Sequence, residues 1–443
     1  PHAGLPSEIG GLASWFARFN MQLSPTAVAV LLVLCLPGAL RAQAVDEATA
    51  RALHERLITL DTHLDTPLSL RRATWDIMQR HEFATDGTQV DYPRMVSGGL
   101  DGGWWAVYTA QGPLTPEGRQ AARNTALQIA LRIHRMVAAN PKHFELALKA
   151  DDAARIAATG KRIVYLSMEN AYPIGDDLSL VRTFYELGVR VMSPVHSQHN
   201  DLADSSGDAV AKRWNGLSPL GKQFVAECNR LGIVVDASHA SDEAFDQMLE
   251  LSATPILLTH SSCKAVCPHP RNIDDERMRR LAARGGVIQM NSVSSFLIDT
   301  PVNPARNQAM LELRAKYGNR SALSEEQSQA VLRERRELEA KYPVPKATFD
   351  DFMKHIQHAL KTVGPEHVGF GADWDGGGGV VGMEDVGGYH KITAALLKAG
   401  YAEKDLAAMW SGNALRLLRH AEEHAAKIKS DAPEPVGRPR RRP

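Results

Sequence analysis

The sequence predicts an α/β protein built on one (β/α)8 barrel, on three observations. Eight short apolar runs alternate with helix-like segments between Leu57 and Leu418. Each run is apolar almost throughout rather than at every second residue, and most end in a histidine or a carboxylate. Near-continuous apolar runs are expected of parallel strands buried on both faces. Strands that alternate with helices require a parallel sheet, and a count of eight closes it into a barrel. A chain of 443 residues holds such a barrel as one unit with room for additions.

The runs are LITLD (57–61), GWWAVYT (103–109), RIVYLSM (162–168), VRVMSPV (189–195), GIVVDAS (232–238), TPILLTH (254–260), GGVIQMN (285–291) and HVGFGAD (367–373). Between them lie amphipathic stretches with capping starts, such as Ser218 before PLGKQFVAECNRL and Ser241 before DEAFDQMLEL. An open, doubly wound sheet would place a glycine-rich phosphate loop after its first strand. The segment there is DTHLDTPLSL, and the GGGG at 376–379 lacks nucleotide-fingerprint spacing. Residues 302–346 are highly charged with helical spacing and predict a helical insertion after the seventh run, a solvated hairpin beside the site mouth.

The ends of the chain read differently. Pro1 to Asn20 precede the first methionine, Met21, and are expected to be upstream residues. Thr26–Leu36 has the length of a signal-peptide core rather than a membrane span, and Ala42-Gln43-Ala44 has the form of a cleavage site. Residues 1–44 are therefore set aside, and a periplasmic or secreted protein without a stable membrane anchor is expected. The barrel domain is placed at 45–425, followed by a disordered, basic, proline-rich tail at 426–443. Cys228, Cys263 and Cys267 make no disulfide framework, although the last two could pair. Lys and Arg total 51, as do Asp and Glu, so no nucleic-acid partner is indicated, and 44% hydrophobic content is ordinary for a globular enzyme.

Active sites of parallel barrels lie at the C-terminal ends of the strands. There the sequence places His63 and Asp65 (first strand), Glu169 (third), His196 (fourth), His239 (fifth), His260 (sixth), and Asp373 and Asp375 (eighth). Imidazoles mixed with carboxylates suit zinc or a similar first-row metal, not calcium or magnesium. Five ligands exceed one catalytic zinc's needs and divide into two sites if Glu169 is shared. No lysine ends the fourth strand, so a carbamylated-lysine bridge is not offered. A metal pair would hold a hydroxide as nucleophile and polarise the carbonyl under attack. Asp373, or Asp375 two residues on, would carry the proton to the leaving amine, and His196 would donate to the developing oxyanion.

Five blocks in order resemble the membrane (renal) dipeptidase family of binuclear zinc peptidases. They are DTHLDTP (61–67), YELGVRVMSPVHSQHNDLADSS (185–206), NRLGIVVDASHASDEAF (229–245), THSSCKAVCPHPRNIDDE (259–276) and HVGFGADWDG (367–376), and the resemblance spans Leu57 to Leu418. It implies an amidohydrolase-like barrel with two Zn2+ per subunit, one held by His63, Asp65 and Glu169 and the other by Glu169, His239 and His260. It also implies that His196 and Arg271 meet a dipeptide, that Asp373 handles protons, and that the enzyme is a homodimer accepting a D-residue on the C-terminal side. Arg271 makes chemical sense, since a planar guanidinium can clamp a free carboxylate bidentately. Asn170 stands where the family has glycine and Trp374 where it has phenylalanine; Cys263 and Cys267 precede Arg271, and the insertion is long. The competing readings are a related barrel hydrolase of N-acyl amino acids or lactones, and a binding protein without activity.

Overall fold

The computed structural model describes residues 46–318 and 323–431. The signal segment and the final residues 432–443 lie outside them. The described strands are β1 (Leu60–Leu64), β2 (Gly102–Tyr108), β3 (Phe144–Leu146), β4 (Arg162–Glu169), β5 (Val189–Met192), β6 (Val234–Val235), β7 (Leu257–Ser261), β8 (Val287–Met290) and β9 (Val368–Phe370). All eight predicted strands are present and every pairing between them is parallel, in the orders β1-β2-β4-β5-β6 and β7-β8-β9. Single parallel bridges join the two sheets, Asp236 to Leu257 on one side and Leu64 to Trp374 on the other. The short β3 was not foreseen; it pairs with the start of β4 outside the barrel order.

Successive side chains of a strand point to opposite faces, and the two sets form two clusters. Leu60, Trp104, Ile163, Tyr165, Val191, Val234, Leu257 and Val287 pack together although they come from seven strands, so they fill the barrel interior. Leu417, Leu418 and Ala421 of the helix Asn413–Asp431 join that cluster and close one end of the barrel. The alternate set, including Trp105, Val164, Leu166, Val235, Leu258, Ile288 and Phe370, packs outward against the helices. Ser218 and Ser241 cap their helices as the sequence indicated, accepting from Gly221 N and Ala244 N.

One boundary differs from the sequence reading. The last helix continues to Asp431, beyond the domain end placed at residue 425, because Ala421 and Ala425 continue its buried face. Residues 426–431 are therefore helix rather than tail. The 302–346 segment forms two helices, Pro304–Tyr317 and Glu325–Lys341. The start of the second is anchored to the turn after β1, where Arg71 donates to Leu323 O (3.1 Å) and Arg72 pairs with Glu325 (3.3 Å). Cys263 and Cys267 are buried free thiols. Among the described residues no helix is long and apolar enough to cross a membrane.

Candidate metal centre

The strand ends opposite the C-terminal helix bring His63, Asp65, Glu169, His196, His239, His260 and Asp373 together. Glu169, the last residue of β4, lies at their centre and is buried. Its Oε2 lies 3.5 Å from His63 Nε2, which is itself 3.4 Å from Asp65 Oδ2. Its Oε1 faces the other way, 2.9 Å from His239 Nε2 and 3.4 Å from His260 Nε2, and those two nitrogens are 2.9 Å apart. His196 Nε2 approaches Oε1 at 3.6 Å. Three overlapping sets have donor atoms within 4.8 Å of one another: His63, Glu169 and His260; Glu169, His196 and His239; and His63, Asp65 and Asp373.

These groups fit cations. His63 Nε2 and Asp65 Oδ1 are buried with no hydrogen-bond partner, and an unpaired buried polar atom is costly unless something binds it. Burial, reinforced by neighbouring positive charge, holds His239 and His260 well below the usual imidazole range, leaving them neutral with lone pairs to offer. Burial opposes charge on Glu169 too, but His63 and His196 outweigh it and hold the carboxyl well below its usual range. Burial likewise opposes a charged His63, yet Glu169 and Asp65 raise it well above its ordinary value. Neutral His239 and His260 beside an ionised Glu169 are the kind of donor set that a first-row cation takes.

The backbone is shaped for this crowding. His239 (φ 70°), Asp373 (φ 66°), Asp375 (φ 66°) and Asn170 (φ 66°) adopt the left-handed conformation, four of the five non-glycine residues that do so among those described. Such conformations gather at sites where the surroundings over-determine them. Gly376 is needed for close approach, since a Cβ there would lie 2.1 Å from Asp373 Oδ1 and 2.2 Å from Asp65 Oδ2.

The open choice between Asp373 and Asp375 is narrowed by geometry. Asp375 is committed to the fold: its carboxylate accepts from Thr66 Oγ1 (2.7 Å) and Gln89 N (2.6 Å). Asp373 faces His63 and Asp65, and burial raises it well above the usual carboxyl range, with Asp65 and Glu169 adding to the effect. Ser197 Oγ lies 2.8 Å from His196 Nδ1, and a hydroxyl donating there leaves Nε2 as a donor toward the site. Arg271 is buried and donates to His260 O (3.1 Å) and Ser261 Oγ (3.4 Å), but it has no ion-pair partner among the described residues and its Nε is unsatisfied. Burial pushes its guanidinium down to about 10.

Sequence reasoning missed a supporting layer. Asp61 accepts from His63 N (2.6 Å), Ala372 N (3.0 Å) and the Tyr389 hydroxyl. Asp236 accepts from Ser238 N, Thr259 N and the Thr259 hydroxyl; burial raises its carboxyl and these hydrogen bonds oppose the rise. The signal was present as an aspartate closing each apolar run, in LITLD and GIVVDAS. Asn170 keeps the left-handed conformation that glycine would supply and uses its amide to reach Thr109 O (3.0 Å).

A family model described as membrane dipeptidase (Peptidase family M19) matches residues 47–432. The dipeptidase aclJ of Aspergillus oryzae is 31% identical over 353 residues, 77% of this chain and 72% of its own. Dipeptidase 3 of Rattus norvegicus is 28% identical over 399 residues, 88% of this chain and 71% of its own. Among solved structures, the "probable dipeptidase PvdM" from Pseudomonas aeruginosa matches with a TM-score of 0.73 at 29% identity, covering 86% of this chain and 99% of that one. A metallopeptidase from Rhodobacter sphaeroides, liganded with a phosphinate mimic of the dipeptide L-Ala-D-Ala, matches with a TM-score of 0.64 at 25% identity, covering 82% of this chain and 99% of that one.

Proposed function

The chain belongs to the membrane dipeptidase family, Peptidase family M19, and we propose that it is a zinc-dependent dipeptidase with two Zn2+ per subunit that accepts a D-residue on the C-terminal side. The observation that carries the reading is the divided use of Glu169, with Oε2 toward His63 and Oε1 toward His239 and His260. One carboxylate presented in this way suits a bridge between two cations. His63, Asp65 and Glu169 would hold one, and Glu169, His239 and His260 the other. When bound, the ions supply Lewis-acid polarisation of the scissile carbonyl and an acidified water.

The chain's own groups do the remaining work. Arg271, buried with no ion-pair partner among the described residues, binds the free carboxylate of the dipeptide and fixes its direction in the site. His196 donates from Nε2 to the oxygen that gains charge as the carbonyl is attacked. Asp373 takes the proton released in the attack and delivers it to the departing amine. The R. sphaeroides ligand, a dipeptide mimic ending in D-Ala, supports the stereochemical part. The signal-like segment Thr26–Leu36 supports a periplasmic or secreted location, and a homodimer is proposed from family resemblance.

The test is a panel of L,L- and L,D-dipeptides offered to the zinc-loaded protein beside N-acyl amino acids and lactones. Dipeptide hydrolysis, abolished by chelation, is the expected result. Arg271→Ala should raise KM for dipeptides by about 10- to 100-fold, the loss of a charged hydrogen bond of about 1.5–3 kcal/mol. Turnover of a neutral lactone in preference to dipeptides, and indifferent to that change, would favour the alternative hydrolase.

A further inference from the structure

The barrel's backbone ladder is reduced to one bridge at two seams, and a buried aspartate stitches each. At the β9–β1 seam, Asp61 ties Ala372 N to His63 N. At the β6–β7 seam, Asp236 Oδ1 accepts from Ser238 N (2.9 Å) and Thr259 N (3.0 Å), and Oδ2 accepts the Thr259 hydroxyl at 2.7 Å. The second stitch continues one step further, because Thr259 Oγ1 lies 2.9 Å from His260 Nδ1.

We propose that Asp236 and Thr259 form a positioning relay that fixes the tautomer of His260, with the proton on Nδ1 and the lone pair on Nε2. The inference rests on the metal reading above. A threonine hydroxyl has one proton, and an ionised carboxylate can only accept it. With that proton committed to Asp236, Oγ1 is left as an acceptor for His260 Nδ1–H. The rival acceptor, Ser238 Oγ, is farther at 3.2 Å, uncharged, and already takes His260 N–H at 3.2 Å. The Nε2 lone pair then faces Glu169 Oε1 and His239 Nε2, where a cation would sit. The seam that completes the barrel thus also sets the protonation of a ligand.

Zinc titration of the full chain against a chromophoric chelator tests this in the wild type, Thr259→Ser, Thr259→Val and Asp236→Asn. Wild type and Thr259→Ser should each bind two zinc ions alike. Thr259→Val should bind one of the two about 10- to 100-fold more weakly, the usual cost of losing a histidine's outer partner. Asp236→Asn should do the same by another route. Its amide NH2 would face Thr259 Oγ1, turn the hydroxyl toward Nδ1, and move the ring proton to Nε2. Wild-type affinity for both ions in Thr259→Val and Asp236→Asn overturns the relay and leaves the dipeptidase reading standing. A wild type that binds no zinc overturns both. Should the variants not fold, the histidine 15N spectrum of the wild type decides: a proton on Nδ1 of His260 is expected, and one on Nε2 overturns the relay.

Discussion

Asp373 and Asp375 are two residues apart and equally acidic in the sequence, yet their surroundings give them different work. Asp375 is consumed by Thr66 and Gln89, tying the eighth barrel strand's loop to the segment after β1. Asp373 is left among His63 and Asp65. Asp373→Asn should therefore lower kcat by roughly 10²- to 10⁴-fold, the usual contribution of a positioned acid–base group, with little change in KM. Asp375→Asn should show its effect in thermal stability. Steady-state kinetics beside a melting curve separates the two, and the reverse pattern would exchange their roles. Glu169, His239 and His260 were legible because a polar residue at the end of an apolar run is conspicuous. Asp61 and Asp236 end apolar runs as well, but an aspartate there reads equally as the start of a turn. Only the positions of Ala372 and Thr259 across the seams show what they hold.

At the scale of elements, the parallel strands were visible as apolar runs, while their lengths were not. β5 and β6 stop at Met192 and Val235, four residues before His196 and His239. The apolar runs continue into loops that stay buried, so hydrophobicity could not mark the strand ends. The helix Glu47–His54 shows a different kind of attachment. His54 Nε2 donates to Gly98 O (3.0 Å), and Nδ1 accepts from Thr393 Oγ1 (2.7 Å), which takes the Trp410 indole N–H in turn. Burial pushes this imidazole down to about 4. Below pH 6.5 the unfolded chain takes up a proton that the folded one refuses until about pH 4. The stability from this site is complete above pH 6.5 and is lost as pH falls through that window, by on the order of 3 kcal/mol. His54→Gln, which keeps a donor and an acceptor, should flatten the acid side of a Tm-against-pH curve. An unchanged curve would contradict the assignment.

Across the whole molecule, the C-terminal helix closes one end of the barrel with Leu417, Leu418 and Ala421, and the site occupies the other. The family match over residues 47–432 spans both ends. Since neutral imidazoles lie on one side of the Glu169 carboxylate and an unpaired Asp65 oxygen on the other, bound cations should stabilise the fold. Chelation should lower Tm and zinc restore it, with about 2.7 kcal/mol gained when free zinc is a hundred times its Kd. A Tm indifferent to both would mean that the ligands do not hold metal in the folded state. The most direct measurement of the central claim is the zinc content of the reconstituted wild type and of Glu169→Gln, determined per chain by elemental analysis. Close to two ions in the wild type, with both weakened in the variant, is the predicted result. No bound zinc in the wild type, or two firmly held ions in Glu169→Gln, would contradict it.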